Sequence, residues 1–305
     1  MNTPPILFII FRRPETTKRV FDAIRKARPS QLFVSADGPR PDRPDETLLC
    51  QQTREIIKQI DWPCDFKTNF YEQNQGLKRG VTGAITWFFS FVEEGIILED
   101  DCLPHHDFFK YSALALQKFR NDARIFHIGA VNFQPQAQKR PGSWYYSRYN
   151  HVWGWATWKR SWDKYNAELT SLEDFLVEAR KTKFWDSKKE EKYWSKIFRA
   201  TKAGKINTWD YQWNFSMWAA GCLCVTPGVN LVENIGFGAG ATNTQFLSRK
   251  DQTPAVTELG EIQENPWVLR DEIADRYTFK TKYWGSFWER SYHRIRKILS
   301  GFRSK

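Results

Sequence analysis

The chain has 305 residues, of which 41% are apolar and 16% aromatic, with 15 tryptophans and a formal net charge of +11. This length can bury a sizeable core and suits one catalytic domain with an extension. The positive charge forms no single dominant block and accompanies no zinc-finger or RNA-recognition motif, which argues against nucleic acid as the partner.

The first half of the chain alternates short apolar runs with stretches of helical periodicity. This pattern predicts an α/β fold with a mixed, mostly parallel sheet and helices on both faces. The predicted strands are PILFIIF (5–11), QLFVSADG (31–38), CDFKTNFYE (64–72), GIILEDD (95–101) and RIFHIGAVNF (124–133). The predicted helices carry apolar faces at Val20 and Phe21, at Leu49 and Ile56, at Val81 and Ile85, and within HDFFKYSALALQKF (106–119).

The composition and periodicity of the sequence change at residue 144. The segment WYYSRYNHVWGWATWKRSW (144–162) is rich in Trp, Tyr and Arg and shows no clear periodicity. Two charged helices are predicted at about 171–181 and 187–203, and a strand is predicted within CLCVTPGVNLV (222–232). A Gly-rich segment, ENIGFGAGATNTQF (233–246), follows this strand.

Charged side chains follow the ends of three predicted strands. Arg12 and Arg13 come after the first strand, Asp37 ends the second, and an acidic triplet, 99–101, ends the fourth. Ligands of open α/β sheets bind beyond the carboxyl ends of the strands. We therefore expect these pieces of chain to converge on one crevice.

Two basic residues, Lys78 and Arg79, fall in the predicted first turn of the helix that follows Gly76. Positive side chains in a first turn oppose the helix dipole, so they cost a few tenths of a kcal/mol unless an anion binds there. A phosphate group is the expected anion.

The acidic triplet consists of Glu99, Asp100 and Asp101, between an apolar run and a turn proline. Carboxylates this close repel one another and resist burial unless a cation sits among them. Mg²⁺ or Mn²⁺ takes oxygen ligands and bridges to phosphate, so the triplet predicts a divalent-metal site for a diphosphate. The alternative is a solvated surface triplet without a function.

The stretch QGLKRGVTGAITWFFSFVEEGIILEDDCLPHHDFFKYS (75–112) resembles GT-A-fold glycosyltransferases. It is similar to the family 2 enzymes and, in the acidic triplet, proline and D-F-F-x-Y continuation, to the family 13 N-acetylglucosaminyltransferases. The resemblance extends to FVSADG (33–38) and to GWATWKRSW (154–162). It implies a Rossmann-like GT-A sheet and metal-dependent transfer of a sugar, from a UDP-sugar or related donor, to an acceptor hydroxyl.

The resemblance also implies roles for individual residues. Asp101 would be the metal ligand, Asp100 would contact ribose or metal-bound water, and Glu99 would contact the donor sugar. The other residues expected at the nucleotide sugar are Arg12, Arg13, Asp37, Lys78 and Arg79. Many GT-A enzymes place a histidine ligand in the late Gly-rich loop, where this chain has Asn243.

An inverting transfer needs a second carboxylate that accepts the proton of the acceptor hydroxyl. Asp210 in TWDYQW (208–213) matches the first aspartate of a W-D-D-W segment in similar enzymes, although Tyr211 replaces the second. The alternative role for Asp210 is a helix N-cap. Retention of the anomeric configuration would exclude the role as base.

Three tryptophans, Trp153, Trp155 and Trp209, are candidates for acceptor binding because indole faces match the apolar faces of sugar rings. Their alternative role is packing in the core.

The expected organisation is a catalytic domain at 1–247 and a C-terminal helical extension at 248–305. The resemblance divides the domain into a nucleotide-sugar-binding half, 1–135, and an acceptor-binding half, 136–247. Residues 280–305 carry eight Lys/Arg against one Glu, with apolar residues at helical spacing. This tail predicts either binding to an anionic membrane surface, where a lipid-linked acceptor would lie, or packing on the domain.

Five cysteines without framework spacing, and an N-terminus without a signal pattern, predict a cytoplasmic protein or one peripheral to the inner face of the cytoplasmic membrane. The acceptor is expected to be a glycan or a lipid-linked sugar, in surface polysaccharide or glycoconjugate synthesis. Two rival functions are a sugar-1-phosphate nucleotidyltransferase, which needs a Gly-rich loop where this chain has RRPETTK (12–18), and a non-catalytic carbohydrate-binding protein.

Overall fold

The central strands Ile6–Ile10, Gln31–Ala36 and Glu94–Glu99 form where the sequence is largely apolar, and the computed structural model describes residues 2–135, 142–236 and 254–284. The strands are β1 (Ile6–Ile10), β2 (Gln31–Ala36), β3 (Asp65–Phe70), β4 (Glu94–Glu99), β5 (Cys102–Pro104), β6 (Ile125–Gly129), β7 (Trp144–Ser147), β8 (Trp155–Trp158), β9 (Leu223–Pro227) and β10 (Val232–Asn234). Eight of them build one sheet in the order β3-β2-β1-β4-β8-β6-β9-β7, and β5 pairs with β10 separately. The five strands predicted in the first half are all present.

The sheet is mixed and mostly parallel. Strands β3, β2, β1 and β4 run parallel to one another, and β6 and β9 are parallel as well. Strands β8 and β7 run antiparallel to their neighbours. The predicted α/β class is therefore confirmed.

Helices cover both faces of this sheet. They are α1 (Pro14–Ala27), α2 (Asp45–Ile56), α3 (Gly76–Phe88), α4 (His106–Phe119), α5 (Lys159–Trp162), α6 (Leu172–Lys181), α7 (Lys188–Lys202), α8 (Asp210–Ala219) and α9 (Glu272–Thr278). Side chains alternate across β1, so that Phe8 belongs to the core that includes residues of α1 and α4, whereas Leu7 belongs to the core that includes residues of α3, α7 and α8. Each face of the sheet thus has its own apolar core.

The aromatic segment that lacked periodicity contains β7 and β8. All four residues of each strand are buried, so neither strand shows the alternation of a half-exposed strand. Strand β8 lies between β4 and β6, at the centre of the sheet, and its Trp155 stacks on His127 and Trp209. Of the tryptophans of this segment, Trp155 and Trp162 belong to the core that includes α8, whereas Trp144 and Trp158 belong to the core on the other face of the sheet.

Part of the expected C-terminal extension lies along the β7 edge of the sheet. The backbone N–H of Asp271 donates to the carbonyl of Tyr146 at 2.8 Å, and α9 follows. The side chain of Tyr283 stacks on Tyr149 with ring centroids 5.2 Å apart. Residues 285–305, which hold most of the predicted basic tail, lie outside the described residues, so its membrane binding stays a prediction.

Within the described ranges, none of the helices has the length and apolarity needed to cross a membrane.

His127, on β6, is a fully buried neutral histidine. Its Nδ1 accepts a hydrogen bond from the indole N–H of Trp213 at 3.2 Å, which places the proton on Nε2, 3.2 Å from the carbonyl of His151. Burial lowers the pKa of His127 to about 3.

Replacement of His127 by Asn should reduce the slope with which the free energy of unfolding falls as the pH drops. The unfolded imidazole takes up a proton below about pH 6.5, whereas the folded one stays neutral down to a pKa of about 3. Stability from this residue is therefore complete above the unfolded pKa and falls as the pH drops, by about 1.4 kcal/mol per pH unit. Urea unfolding between about pH 7 and pH 5 measures this slope.

His106, whose side chain is 75% exposed, provides the matched control. His106→Asn should keep the slope of the wild-type protein. An unchanged slope in His127→Asn would show that His127 takes up its proton in the folded state.

Candidate active site

A cleft of about 440 Å³ opens at the carboxyl ends of β1, β2 and β4. Its walls include Arg13, Asp37, Glu99, Asp100, Asp101 and Trp153. The cleft lies where the parallel strands end and the chain turns into α1 and α3, which is the usual place for ligands in such sheets. The predicted convergence of separate chain segments on one crevice is seen here.

The cation among the acids of this cleft is Arg13. Its Nη1 donates to Asp101 Oδ2 at 2.9 Å, and its Nη2 donates to Asp100 Oδ1. Burial lowers the pKa of Arg13, but the charges of Asp100 and Asp101 outweigh burial, and the pKa rises above its usual range. One guanidinium therefore bridges two adjacent carboxylates.

The backbone holds this ion pair in place. Ile9 on β1 is in register with Glu99 on β4, so the chain just beyond β1 faces the chain just beyond β4. The N–H of Phe11 donates to Asp100 Oδ2 at 3.2 Å, and Pro14 begins α1 directly after Arg13. Proline suits the first position of a helix because its φ is already helical and no N–H is needed there.

Gly236 packs directly against the ion pair. A Cβ at this position would lie 2.2 Å from Asp101 Oδ2 and 2.7 Å from Arg13 Nη1. The N–H of Ile235 donates to the carbonyl of Asp101 at 2.8 Å, which fixes this approach. Only glycine leaves room for the side chains at this point.

Glu99 differs from its two acidic neighbours, because none of the described residues hydrogen-bonds its carboxyl group. The side chain opens onto the cleft but lies deep in it. Burial, together with the charges of Asp101 and Asp100, raises the pKa of Glu99 to about 8. The charge of Asp210 acts in the same direction.

Asp37 organises the start of α3. Its Oδ1 accepts hydrogen bonds from the N–H groups of Gly38, at 2.9 Å, and Gln75, at 2.7 Å. Its Oδ2 accepts from the side-chain amide of Asn74 at 2.9 Å. Burial raises the pKa of Asp37, and these hydrogen bonds oppose the rise. The carboxylate therefore has a structural role and still lines the cleft.

Three of the expected nucleotide-sugar residues do not line the cleft. Arg12 turns to the buried carboxylate of Glu46, with 3.2 Å between Nε and Oε1. Lys78 donates to the carbonyl of Ala167 at 3.3 Å, and Arg79 is exposed. A contact of these side chains with a diphosphate stays a prediction, and it requires them to change rotamer.

Asp210 is the first residue of α8, so Trp209 rather than Asp210 occupies the N-cap position. The hydroxyl of Thr208 donates to Asp210 Oδ1. Burial raises the pKa of Asp210, while the hydrogen bonds from Thr208 and from the helix N–H groups oppose the rise. Asp210 is thus a partly shielded carboxylate at the start of a helix.

The three candidate tryptophans separate into two environments. Trp153 is half-buried and lines the cleft, and Phe133 packs edge-on against it at 5.9 Å. Trp155 is 0% exposed and Trp209 is 3% exposed, and they stack on each other at 5.8 Å. Of the three, only Trp153 lines the cleft, and contact with an acceptor stays a prediction.

Carboxylate oxygens at Asp101 fit a divalent cation. Its Oδ1 accepts only a weak contact from the thiol of Cys102, at 3.5 Å, whereas both oxygens of Asp100 are already bonded. In the described part of the chain, the one convergent group of three metal-type side chains lies elsewhere, at His105, His106 and Asp107. Asn243 lies outside the described residues.

Sequence reasoning missed Glu46, the buried acid that binds Arg12 and so keeps it out of the cleft that Arg13 lines. Glu46 is 1% exposed and binds Arg40 as well as Arg12, although it comes from the proline-rich segment PRPDRPDE (39–46). Asn207 and Asn234 also line the cleft and carried no recognisable motif. A single acid inside a polar loop gives no signal that it is buried.

No protein-family model and no curated protein matches this chain. Among solved structures, it is similar to 4-diphosphocytidyl-2C-methyl-D-erythritol synthase from Anaerococcus prevotii, with TM-score 0.36 and 9% identity over 74% of this chain and 89% of that one. It is similar to an apo UDP-glucose pyrophosphorylase, with TM-score 0.35 and 8% identity over 77% and 94%. HddC from Yersinia pseudotuberculosis gives TM-score 0.31 and 12% identity over 52% and 77%. Likeness at this level does not bear on the activity of the chain.

Truncation of Trp155 and of Trp153 should affect stability very differently. Trp155→Ala removes a fully buried ring from the centre of the sheet and should lower the free energy of unfolding by about 3–5 kcal/mol. Trp153→Ala removes a half-exposed cleft wall and should cost clearly less. Urea unfolding of both variants measures the difference; equal losses would contradict the separation of core from cleft.

Proposed function

We propose that this protein transfers a sugar from a nucleoside diphosphate sugar to an acceptor hydroxyl. The observation that carries the proposal is a cleft at the strand ends that brings together the bridging Arg13, the acidic triplet and Trp153. We assign the strand ends to a donor wall, and we assign Trp153 and Asp210, whose charge acts on Glu99, to an acceptor wall. The resemblance of the acidic triplet to GT-A enzymes supports the same reaction.

On the donor wall, Arg13 binds the diphosphate and Asp37 lies at the nucleotide. A guanidinium matches the geometry of phosphate oxygens and offsets the charge that builds up as the nucleoside diphosphate leaves. Asp101 is the residue that would hold a divalent cation, Mn²⁺ or Mg²⁺. The bound ion would supply electrostatic stabilisation of the leaving group.

On the acceptor wall, Asp210 takes the proton from the attacking hydroxyl and Trp153 stacks on the acceptor sugar. The raised pKa of Asp210 makes it a stronger base than a solvated aspartate. Displacement on one side of the sugar by a hydroxyl on the other inverts the anomeric centre. We propose the catalytic domain at 1–247, divided near residue 135 into donor and acceptor halves.

The connection between β1 and α1 disfavours the rival reaction, sugar-1-phosphate nucleotidyl transfer. Only Phe11, Arg12 and Arg13 separate the two elements, and Arg13 is already bound to the acids. A nucleotidyltransferase needs a longer Gly-rich loop there, whose N–H groups cradle a triphosphate.

Asp210→Asn should lower kcat for sugar transfer about 10²- to 10⁴-fold, because the variant lacks the group that accepts the hydroxyl proton. Donor affinity should change little, since Asp210 lies on the other wall. The assay follows nucleoside diphosphate release from a panel of nucleotide sugars with Mn²⁺ or Mg²⁺ and glycan or lipid-linked acceptors.

Asp163→Asn, at a side chain 55% exposed and paired with Lys159, is the matched control and should leave kcat unchanged. NMR of the product reads its anomeric configuration, and a retained configuration would exclude Asp210 as the base of a single displacement. Release of pyrophosphate from a nucleoside triphosphate and a sugar phosphate would support the rival reaction. Binding of sugars without turnover of any donor would indicate a carbohydrate-binding protein.

A further inference from the structure

Arg13 bridges two acids, so its charge affects how a second cation binds to them. Asp100 has both oxygens bonded, one to Arg13 and one to the N–H of Phe11. Asp101 shares Oδ2 with Arg13. The guanidinium cancels one of the two negative charges, so the group keeps a single net negative charge to attract an ion.

A divalent cation on Asp101 would lie beside this guanidinium. The positive charge of Arg13 repels such an ion over a few ångströms, and in a shielded cleft this repulsion is stronger than in water. Asp101 Oδ1 still has lone pairs for a ligand bond, because its described partner is only the Cys102 thiol at 3.5 Å. The site therefore offers a carboxylate oxygen as a ligand, but the positive charge of Arg13 beside it opposes binding of the ion.

Arg13 also keeps a donor in reserve. Its Nε is buried and has no hydrogen-bond partner among the described residues, and Nη1 and Nη2 each have two N–H groups and make one bond to these acids. An unsatisfied buried N–H costs free energy. The side chain is 20% exposed and lines the cleft, so a phosphate oxygen can reach the remaining N–H groups of its exposed end.

We infer that Arg13 is an internal counter-cation that makes binding of the divalent ion depend on the nucleoside diphosphate. Without a diphosphate, Arg13 cancels one of the two negative charges of Asp100 and Asp101 and keeps the ion weakly bound. With a diphosphate, the phosphate oxygens give Arg13 a second acceptor and lower the repulsion between Arg13 and the ion. This inference rests on the proposed function, because it takes the ligand of the cleft to be a diphosphate.

The test measures Mn²⁺ binding, with and without UDP, by the electron paramagnetic resonance signal of free Mn²⁺. In the wild-type protein, Mn²⁺ alone should bind at least about tenfold more weakly than Mn²⁺ with saturating UDP. Arg13→Gln should bind Mn²⁺ alone about tenfold more tightly than the wild type, because the repelling charge is gone. The enhancement by UDP should shrink in the same variant.

Arg25→Gln is the matched control, since Arg25 lies in the same helix region, at the far end of α1, and pairs with the exposed Asp61. It should bind Mn²⁺ like the wild type. Arg13→Lys keeps the positive charge, so it should also bind Mn²⁺ alone weakly. Binding of Mn²⁺ alone by Arg13→Gln that is equal to or weaker than that of the wild type overturns the inference.

The double variant Arg13→Gln/Asp100→Asn covers the case in which Arg13→Gln does not fold. It removes the arginine together with one buried acid, so the net charge of the group is unchanged and Asp101 remains. It should bind Mn²⁺ alone more tightly than the wild type, and equal affinity overturns the inference. If the wild type binds neither Mn²⁺ nor UDP in any combination, the proposed function fails as well; if it binds both and the Arg13 variants do not differ, only this inference fails.

Discussion

The candidate site depends on one electrostatic constraint, the need to neutralise two carboxylates at the end of a buried strand. In strand β4, Ile96, Ile97 and Leu98 are at most 1% exposed. Asp100, just beyond the end of the strand, is 3% exposed. Two ionised acids cannot be brought together in such surroundings without a positive partner. The chain provides that partner from the neighbouring strand, because β1 and β4 run parallel and end side by side.

This constraint explains the compact connection from β1 into α1. Arg13 must stand within hydrogen-bond distance of both acids, so the helix begins one residue later, at Pro14, and the N–H of Phe11 binds Asp100 from the other side. The close approach of Gly236 follows from the same arrangement, since its missing Cβ makes room for the arginine and for Asp101. The helix start at Pro14, the N–H of Phe11 and the close approach of Gly236 thus all support one ion pair.

The sequence predicted the elements whose signal is local. Apolar runs identified β1, β2, β4 and β6, the mixed segment CDFKTNFYE (64–72) was predicted as β3, and α6 and α7 were predicted to within one residue at each end. It did not reveal β7 and β8, because a strand buried on both faces and built of aromatic residues shows no alternation. The position of β8 between β4 and β6 is a long-range property that no local pattern encodes.

At the site, sequence reasoning found the residue types but not their orientation. Arg12 and Arg13 are adjacent and chemically identical, and only the buried Glu46 draws one of them away from the cleft. Trp153 and Trp155 are two residues apart, yet one lines the cleft and the other is core, since the glycine between them, with φ of +66°, turns the chain. Which side chain faces the ligand is decided by packing partners that come from distant parts of the chain.

Arg13 and Asp210 are held by different kinds of partner. Two acids and a helix start hold Arg13, which suits its proposed contact with a diphosphate in a fixed orientation. Asp210 is held by Thr208 and by the first N–H groups of α8, which stabilise its charge without neutralising it with a cation. A carboxylate paired with an arginine would be a poor proton acceptor, and among the described residues no arginine pairs with Asp210, which suits its proposed role as the base.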